Sequence, residues 1–240
     1  MYKDKAMFTQ KFVTTLEDGG SSSVVPANVS GFRPFDACIG EIELPTSIVF
    51  CGVSGCGKTF AVQALLKRIS HKFQAVYVFS GSKGLNTDYA DVPPGRFFNL
   101  DLKKIKRIIA GQEVLIKRGI KKNIAILVDD FVGKFQLHQS KTFDQLATSA
   151  RHRGITMIYL SQKINKLSPV IREACKYWFV IKTNLPSLEV LYENQTAYEK
   201  KADFVSTVKR MTSQVQYSIC YINNQNPYGT NVSFLLPATL

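Results

Sequence analysis

Three short stretches carry side chains whose types and spacing could do chemistry. The first is "GVSGCGKT", Gly52 to Thr59, which fits the pattern GxxxxGK[ST] directly after the apolar run "SIVFC". Glycines at this spacing let backbone N–H groups turn inward around phosphates, and a following helix directs its positive end at the same anion. The candidate nucleotide-binding residues are therefore Gly52, Val53, Ser54, Gly55, Cys56, Gly57, Lys58, Thr59 and Phe60. Lys58 would reach the β and γ phosphates of ATP, and the Thr59 hydroxyl would ligate Mg²⁺. A tight turn from strand to helix is the alternative use of the same glycines.

The second stretch is "NIAILVDDF". Apolar residues running into Asp129 predict a buried strand that delivers a carboxylate to its C-terminal end, where a Mg²⁺-bound water can be held. Asp130 is then placed to polarise an attacking water. A loop start or a helix cap would use the same two aspartates differently. The third stretch, "ARHRGITMIYLSQ", Ala150 to Gln162, reads as a helix ending in a basic cluster, broken by Gly154, then a strand carrying Gln162 out at its end. Gln162 could sense a γ-phosphate or orient water. Arg151 and Arg153 could reach a neighbouring subunit's nucleotide, as an arginine finger supplied in trans does. A solvated or DNA-facing basic turn is the competing use of both arginines.

These residues need a frame. From Pro45 onward, short apolar runs alternate with longer helical stretches, the signature of a parallel sheet with crossover helices. Strands are predicted at Ser47–Cys51, Ala75–Ser80, Ile124–Asp129, Thr156–Ser161 and Trp178–Lys182, and helices at Lys58–Ile69, Leu102–Arg118, Phe143–His152 and Pro169–Cys175. The alternating run "VQYSICYI" and the later "NVSFLL" predict an antiparallel β extension over about 212–240. Residues 1–40, rich in Gly, Ser and Pro around "LEDGGSSSVVPANVSG", read as an N-terminal arm or linker before a P-loop domain over 41–240. The stretch from Thr59 to Val128 leaves room for a helix, a strand and a second helix. That suits the ATPase branch with an extra strand inserted between the two motifs better than a compact kinase, and no NKxD guanine-reading motif is present.

Composition narrows the partners. The chain has 240 residues and a formal net charge of +13, and such a basic excess points to a polyanion, most often nucleic acid. No apolar run approaches the roughly 18 residues that span a bilayer, and "MYKDKAMFTQKF" shows no secretory signal, so no membrane segment is expected. Five cysteines without CxxC spacing read as reduced thiols in a cytosol-like compartment.

Taken in order, "GVSGCGKT", "ILVDDF" and "ARHRGITMIYLSQ" resemble the FtsK-HerA superfamily, especially genome-packaging ATPases of large double-stranded DNA viruses, of poxvirus type, and of virophages. The resemblance covers about Pro45 to Thr183. It implies a RecA-like α/β fold and an ATP-driven DNA translocase working as a homo-oligomeric ring, pentameric or hexameric, that moves double-stranded DNA into a preformed shell of viral capsid proteins. The place implied is the host cytoplasm at viral assembly sites, or the virion. Position by position, Lys58 and Thr59 match the Walker A pair, Asp129 the magnesium-site aspartate, Gln162 the sensor and Arg151 the finger. Asp130 stands where cellular members generally carry glutamate, which looks like a mark of the viral branch.

Three basic regions compete for DNA. The helix over 102–118 would show Lys103, Lys106 and Arg107 on one face; the loop Gly81–Gly95 offers Lys83; and "SQKINKLSPVIR" offers Lys163, Lys166 and Arg172. Backbone contact without base reading is expected of a motor that accepts any sequence. Phe60, Tyr192 and Tyr198 are aromatic candidates for stacking, against a role in the core. Two other functions stay open at this level: a P-loop nucleotide kinase, and a nucleotide-binding structural switch that does not hydrolyse.

Overall fold

Apolar strands without alternation require cover on both faces, and the chain supplies it. The computed structural model describes residues 31–81, 89, 95–129, 141–195, 198, 200–226 and 231–238. Among these, one sheet has eight strands: β1 (Ser47–Cys51), β2 (Ala75–Ser80), β3 (Gly95–Asn99), β4 (Ile124–Asp129), β5 (Ile155–Ser161), β6 (Tyr177–Val180), β7 (Ile219–Asn223) and β8 (Val232–Leu235). Their spatial order is β3-β2-β4-β5-β1-β6-β7-β8. The six strands from β3 to β6 run parallel, and β7 joins antiparallel to both β6 and β8. The expected C-terminal extension is thus a continuation of the same sheet.

Alternate residues of each strand feed opposite layers. On one face Ile48, Phe50, Val78, Leu127, Ile158 and Phe179 pack against Val62, Leu65, Leu66 and Ile69 of α1 (Lys58–Ile69). Phe35 and Cys38, from a short 3₁₀ turn over Phe35–Glu41, complete that layer. On the other face Val49, Ile126, Val128, Tyr159, Trp178 and Ile222 meet a group of five helices. These are α2 (Leu102–Lys117), α3 (Lys141–Ser149), α4 (Pro169–Ala174), α5 (Leu185–Gln195) and α6 (Lys201–Gln214). They contribute Ile105, Phe143, Ile171, Leu191 and Phe204 in turn. Truncating a fully buried leucine such as Leu65 to alanine is expected to cost about 2–5 kcal/mol.

Residues 31–40, read from sequence as the end of an arm, pack into this body. Arg33 N donates to the Phe234 carbonyl at 2.8 Å, Arg33 O accepts from Leu236 N at 2.8 Å, and the Arg33 guanidinium pairs with Glu41. The helix expected over Phe143–His152 is α3 followed by a 3₁₀ turn, Ala150–Arg153, which ends at Gly154 with φ +67°. A Cβ there would lie 2.6 Å from the Lys122 carbonyl. The close passage of the chain into β4 therefore requires glycine.

Candidate nucleotide-binding site

Parallel strands end at one edge, and three of the candidate elements end together. β1 pairs with β5, Cys51 opposite Ser161, and β5 pairs with β4, Val128 opposite Tyr159. Asp129 therefore stands two strand spacings from β1, about 10 Å across the sheet, with β5 between. The chain between the two motifs holds α1, β2, β3 and α2, one strand more than the helix, strand and helix expected, while the strand that separates β1 from β4 in the sheet, β5, comes from after both motifs. Asp129 is buried, and its Oδ2 accepts from the hydroxyl of Tyr89 at 3.1 Å. Nothing in the sequence around Tyr89 marked that contact, because the residue belongs to no motif.

The loop after β1 is tied to the sheet on both sides. Gly52 N donates to the Ser161 carbonyl at 3.2 Å and Val53 N to the Lys182 carbonyl at 2.8 Å. A Cβ on Gly52 would meet Cys56 Sγ at 2.4 Å, so the loop's closure leaves no room for a side chain there. Gly57, in the left-handed region at φ +92°, turns the chain into α1. Lys58 is half-buried, and its Nζ donates to the carbonyls of Gly52 at 2.7 Å and Val53 at 2.8 Å. Its ammonium thus lies over the loop, where a phosphate chain would be gripped. Ser54 and Gly55 are exposed at the tip, while Cys56 is buried beneath it.

Gln162 follows β5 on the same edge and is half-buried. Arg151 and Arg153 lie at the other end of that strand, beyond its N-terminus. The two arginines differ in what they touch. Arg153 Nε donates to Glu113 Oε1 of α2 at 2.8 Å, and its guanidinium also donates to Ser149 Oγ. Arg151 is exposed. Asp130 and Lys83 lie outside the described residues.

Of the aromatic stacking candidates, Tyr192 and Tyr198 pack on Phe204 with ring centroids 6.0 and 5.3 Å apart, so they belong to the core. Phe60 is exposed, in the first turn of α1 beside the loop. All five cysteines are free and buried. Burial pushes the thiol of Cys51, below the loop, up to about 12, and desolvation does the same for Cys38 and Cys220. These are packing residues rather than nucleophiles.

A basic groove of about 610 Å³ lies on the α2 side, toward the N-terminal ends of β2 and β4. Lys104 sits 3.7 Å above the Phe98 ring and Arg96 5.5 Å from the Tyr77 ring centre, with Arg107 and Lys122 on the same walls. Lys103, Lys106 and Arg107 are exposed along α2, as the periodicity predicts. Near the other edge Lys163 and Lys166 are exposed and Arg172 is half-buried.

An eight-stranded, mostly parallel sheet with a glycine loop between β1 and α1, and an acidic strand end beyond the one intervening strand, defines a RecA-like P-loop ATPase fold. Solved structures agree on that fold. The genome packaging NTPase B204 from Sulfolobus turreted icosahedral virus 2, in complex with AMP, superposes with a TM-score of 0.62 at 12% identity, covering 82% of this chain and 100% of that one. EssC (ATPases 2 and 3) from Geobacillus thermodenitrificans gives 0.59 at 15% identity, over 81% of this chain and 40% of that one. The family is set by sequence: residues 42–228 match the model of the Poxvirus A32 protein family, to which the chain belongs. Protein 015R of Frog virus 3 (isolate Goorha) is 26% identical over 197 residues. The match covers 80% of this chain, which spans 59% of that protein's length. Among the described residues no helix is long and apolar enough to cross a membrane.

Proposed function

We propose that this chain is the ATP-hydrolysing motor that packages double-stranded viral DNA into a preformed capsid, assembled as a homo-oligomeric ring. The observation that carries the reading is the shared edge of β1, β5 and β4, with the phosphate loop on one side of β5 and the buried Asp129 on the other. Membership of the Poxvirus A32 protein family and the likeness to a viral genome packaging NTPase support it.

In this reading Lys58 binds the β and γ phosphates, and the backbone N–H groups of residues 52–59 cradle the chain. Thr59 and Asp129 would hold Mg²⁺, which when bound neutralises charge on the phosphates. The donor set fits that ion. One hydroxyl and one buried carboxylate are oxygen donors of the kind this hard cation takes, and among the described residues no cluster of three His, Cys, Asp or Glu makes a self-sufficient cage. Asp130 polarises the attacking water, Gln162 orients it or senses the γ-phosphate, and Arg151 is the finger presented to the neighbouring subunit. DNA contacts fall on phosphates, through the basic groove by α2 or the lysines near the active edge. Capsid docking, and work at assembly sites in the host cytoplasm, belong to the same proposal.

The test is steady-state ATP hydrolysis against protein concentration, with and without long duplex DNA, using Lys58→Ala as the blank. Turnover that rises with both and vanishes in the blank is expected. Nucleotide binding without turnover under every condition would favour a structural switch, and turnover that depends on a small-molecule acceptor would favour a kinase.

A further inference from the structure

Tyr217 has no place in the three motifs, yet its ring lies against the phosphate loop. It sits in the turn between α6 and β7, and a Cβ on Gly57 would come within 3.1 Å of its Cδ1. Its backbone has φ +63°, and it is the one non-glycine residue with positive φ among the described residues. A bulky side chain in that region is an outlier, and such conformations persist where the surroundings hold them, often at ligand clamps. Tyr217 is 49% exposed, so the backbone strain does not serve to bury it.

Exposed apolar side chains gather on the rim of this loop. Val53, Phe60 and Tyr217 are all exposed there, while the sheet behind them is fully covered. Of the three, Tyr217 alone arrives from a distant segment of the chain, placed by the antiparallel β7 rather than by the loop. A nucleotide held there by its phosphates would leave its base beside exposed apolar side chains such as these.

We propose that Tyr217 is the platform on which the nucleotide's base stacks, the element of the site that distinguishes a nucleoside triphosphate from a bare polyphosphate. The inference rests on the nucleotide-binding reading above and deepens it. Stacking uses the π-face that every base has, so Tyr217 reads the presence of a base more than its identity, and purines gain more than pyrimidines by ring area. Phe60, in the first turn of α1, gives the rim a second exposed aromatic ring.

The experiment measures dissociation constants of ATP and of inorganic tripolyphosphate by calorimetry, for the wild type, Tyr217→Ala, Tyr217→Gly, Tyr217→Trp and Lys58→Ala. Loss of the ring is expected to weaken ATP by about five- to a hundred-fold, the range of base–aromatic stacking, and to leave tripolyphosphate unchanged. Tyr217→Gly removes the ring while suiting the left-handed backbone, so a loss of ATP affinity in a variant that melts no lower than wild type separates stacking from folding. Tyr217→Trp should restore ATP binding, with indole fluorescence that changes on adding ATP and not on adding tripolyphosphate. Unchanged ATP affinity in both Tyr217→Ala and Tyr217→Gly would overturn the proposal. Equal loss of both ligands in those variants would overturn it too, by making Tyr217 a support for the loop. If Lys58→Ala loses both ligands while the Tyr217 variants lose neither, the nucleotide reading stands and only the base platform falls; a wild type that binds neither ligand would overturn both.

Discussion

Replacing Arg151 with alanine should abolish assembly-dependent turnover while leaving the subunit as stable as before. Arg151 lies beyond the N-terminal end of β5 and Gln162 beyond its C-terminal end. Strand rise is about 3.3 Å per residue, so the strand puts roughly 20 Å between those positions. That is beyond the reach of an arginine side chain, so if this exposed guanidinium serves a nucleotide, that nucleotide would belong to another subunit. A finger supplied in this way is worth about 10³- to 10⁵-fold in kcat. Arg153 is the internal comparison, because its Nε is held by Glu113 at 2.8 Å within the same subunit. Both side chains of that pair are partly exposed, so it contributes on the order of 1 kcal/mol or less. Arg153→Ala should lower the urea midpoint slightly and keep most of the turnover. The assay is ATP hydrolysis at protein concentrations that assemble on duplex DNA, followed by mixing Arg151→Ala subunits with Asp130→Asn subunits. In mixed rings some interfaces combine an intact Arg151 with an intact Asp130, and turnover should partly return. Wild-type kcat in assembled Arg151→Ala protein, or no recovery in any mixture, would refute the assignment of Arg151.

Three further outcomes follow from the geometry. Gly52→Ala should abolish ATP binding, read by calorimetry, because its Cβ would lie 2.4 Å from Cys56 Sγ and 3.1 Å from the Lys182 carbonyl; affinity within two-fold of wild type would mean the loop can open without cost. Stability should fall above pH 9: the Cys38, Cys51 and Cys220 thiols rise from 9.0 to about 12 on folding, so the unfolded chain ionises first. Their contribution is complete below pH 9 and is lost as pH climbs towards 12, on the order of 4 kcal/mol for the three together at pH 10. Urea titrations at pH 8 and 10 check this, and Cys220→Ala should shrink the drop without removing it, because Cys175, whose thiol burial also raises, shares it. The double variant Lys104→Ala, Arg107→Ala should weaken binding of duplex DNA of any sequence and reduce the salt slope by about 2; an unchanged slope would move the DNA contact to another face.

What the sequence makes legible is local and periodic. The bounds Lys58–Ile69 follow from a glycine turn at one end and apolar residues recurring on one face, and α1 has those bounds. β3 escapes because "GRFFN" opens on a glycine and a charged residue, comes straight after two prolines in the sequence and sits at the sheet edge. α5 and α6 escape although each carries a sign. Asn184 Oδ1 accepts from Ser187 N as a cap ahead of an N-terminal proline, and Phe204, Val208 and Met211 recur on one helical face. Strand order is the part that periodicity cannot supply, since every central strand reads as the same apolar run. Here that order positions the residues of the proposed site. Placing β5 between β1 and β4 puts Gln162 between the phosphate loop and Asp129, while the other end of the same strand carries Arg151 to the opposite edge. A strand hydrogen-bonded on both sides is a rigid strut, so a displacement of Gln162 by the terminal phosphate would be felt at Arg151. If the finger acts across an interface, β5 then links the state of one nucleotide to the completion of the next subunit's site, which is the coupling that a ring firing in sequence requires.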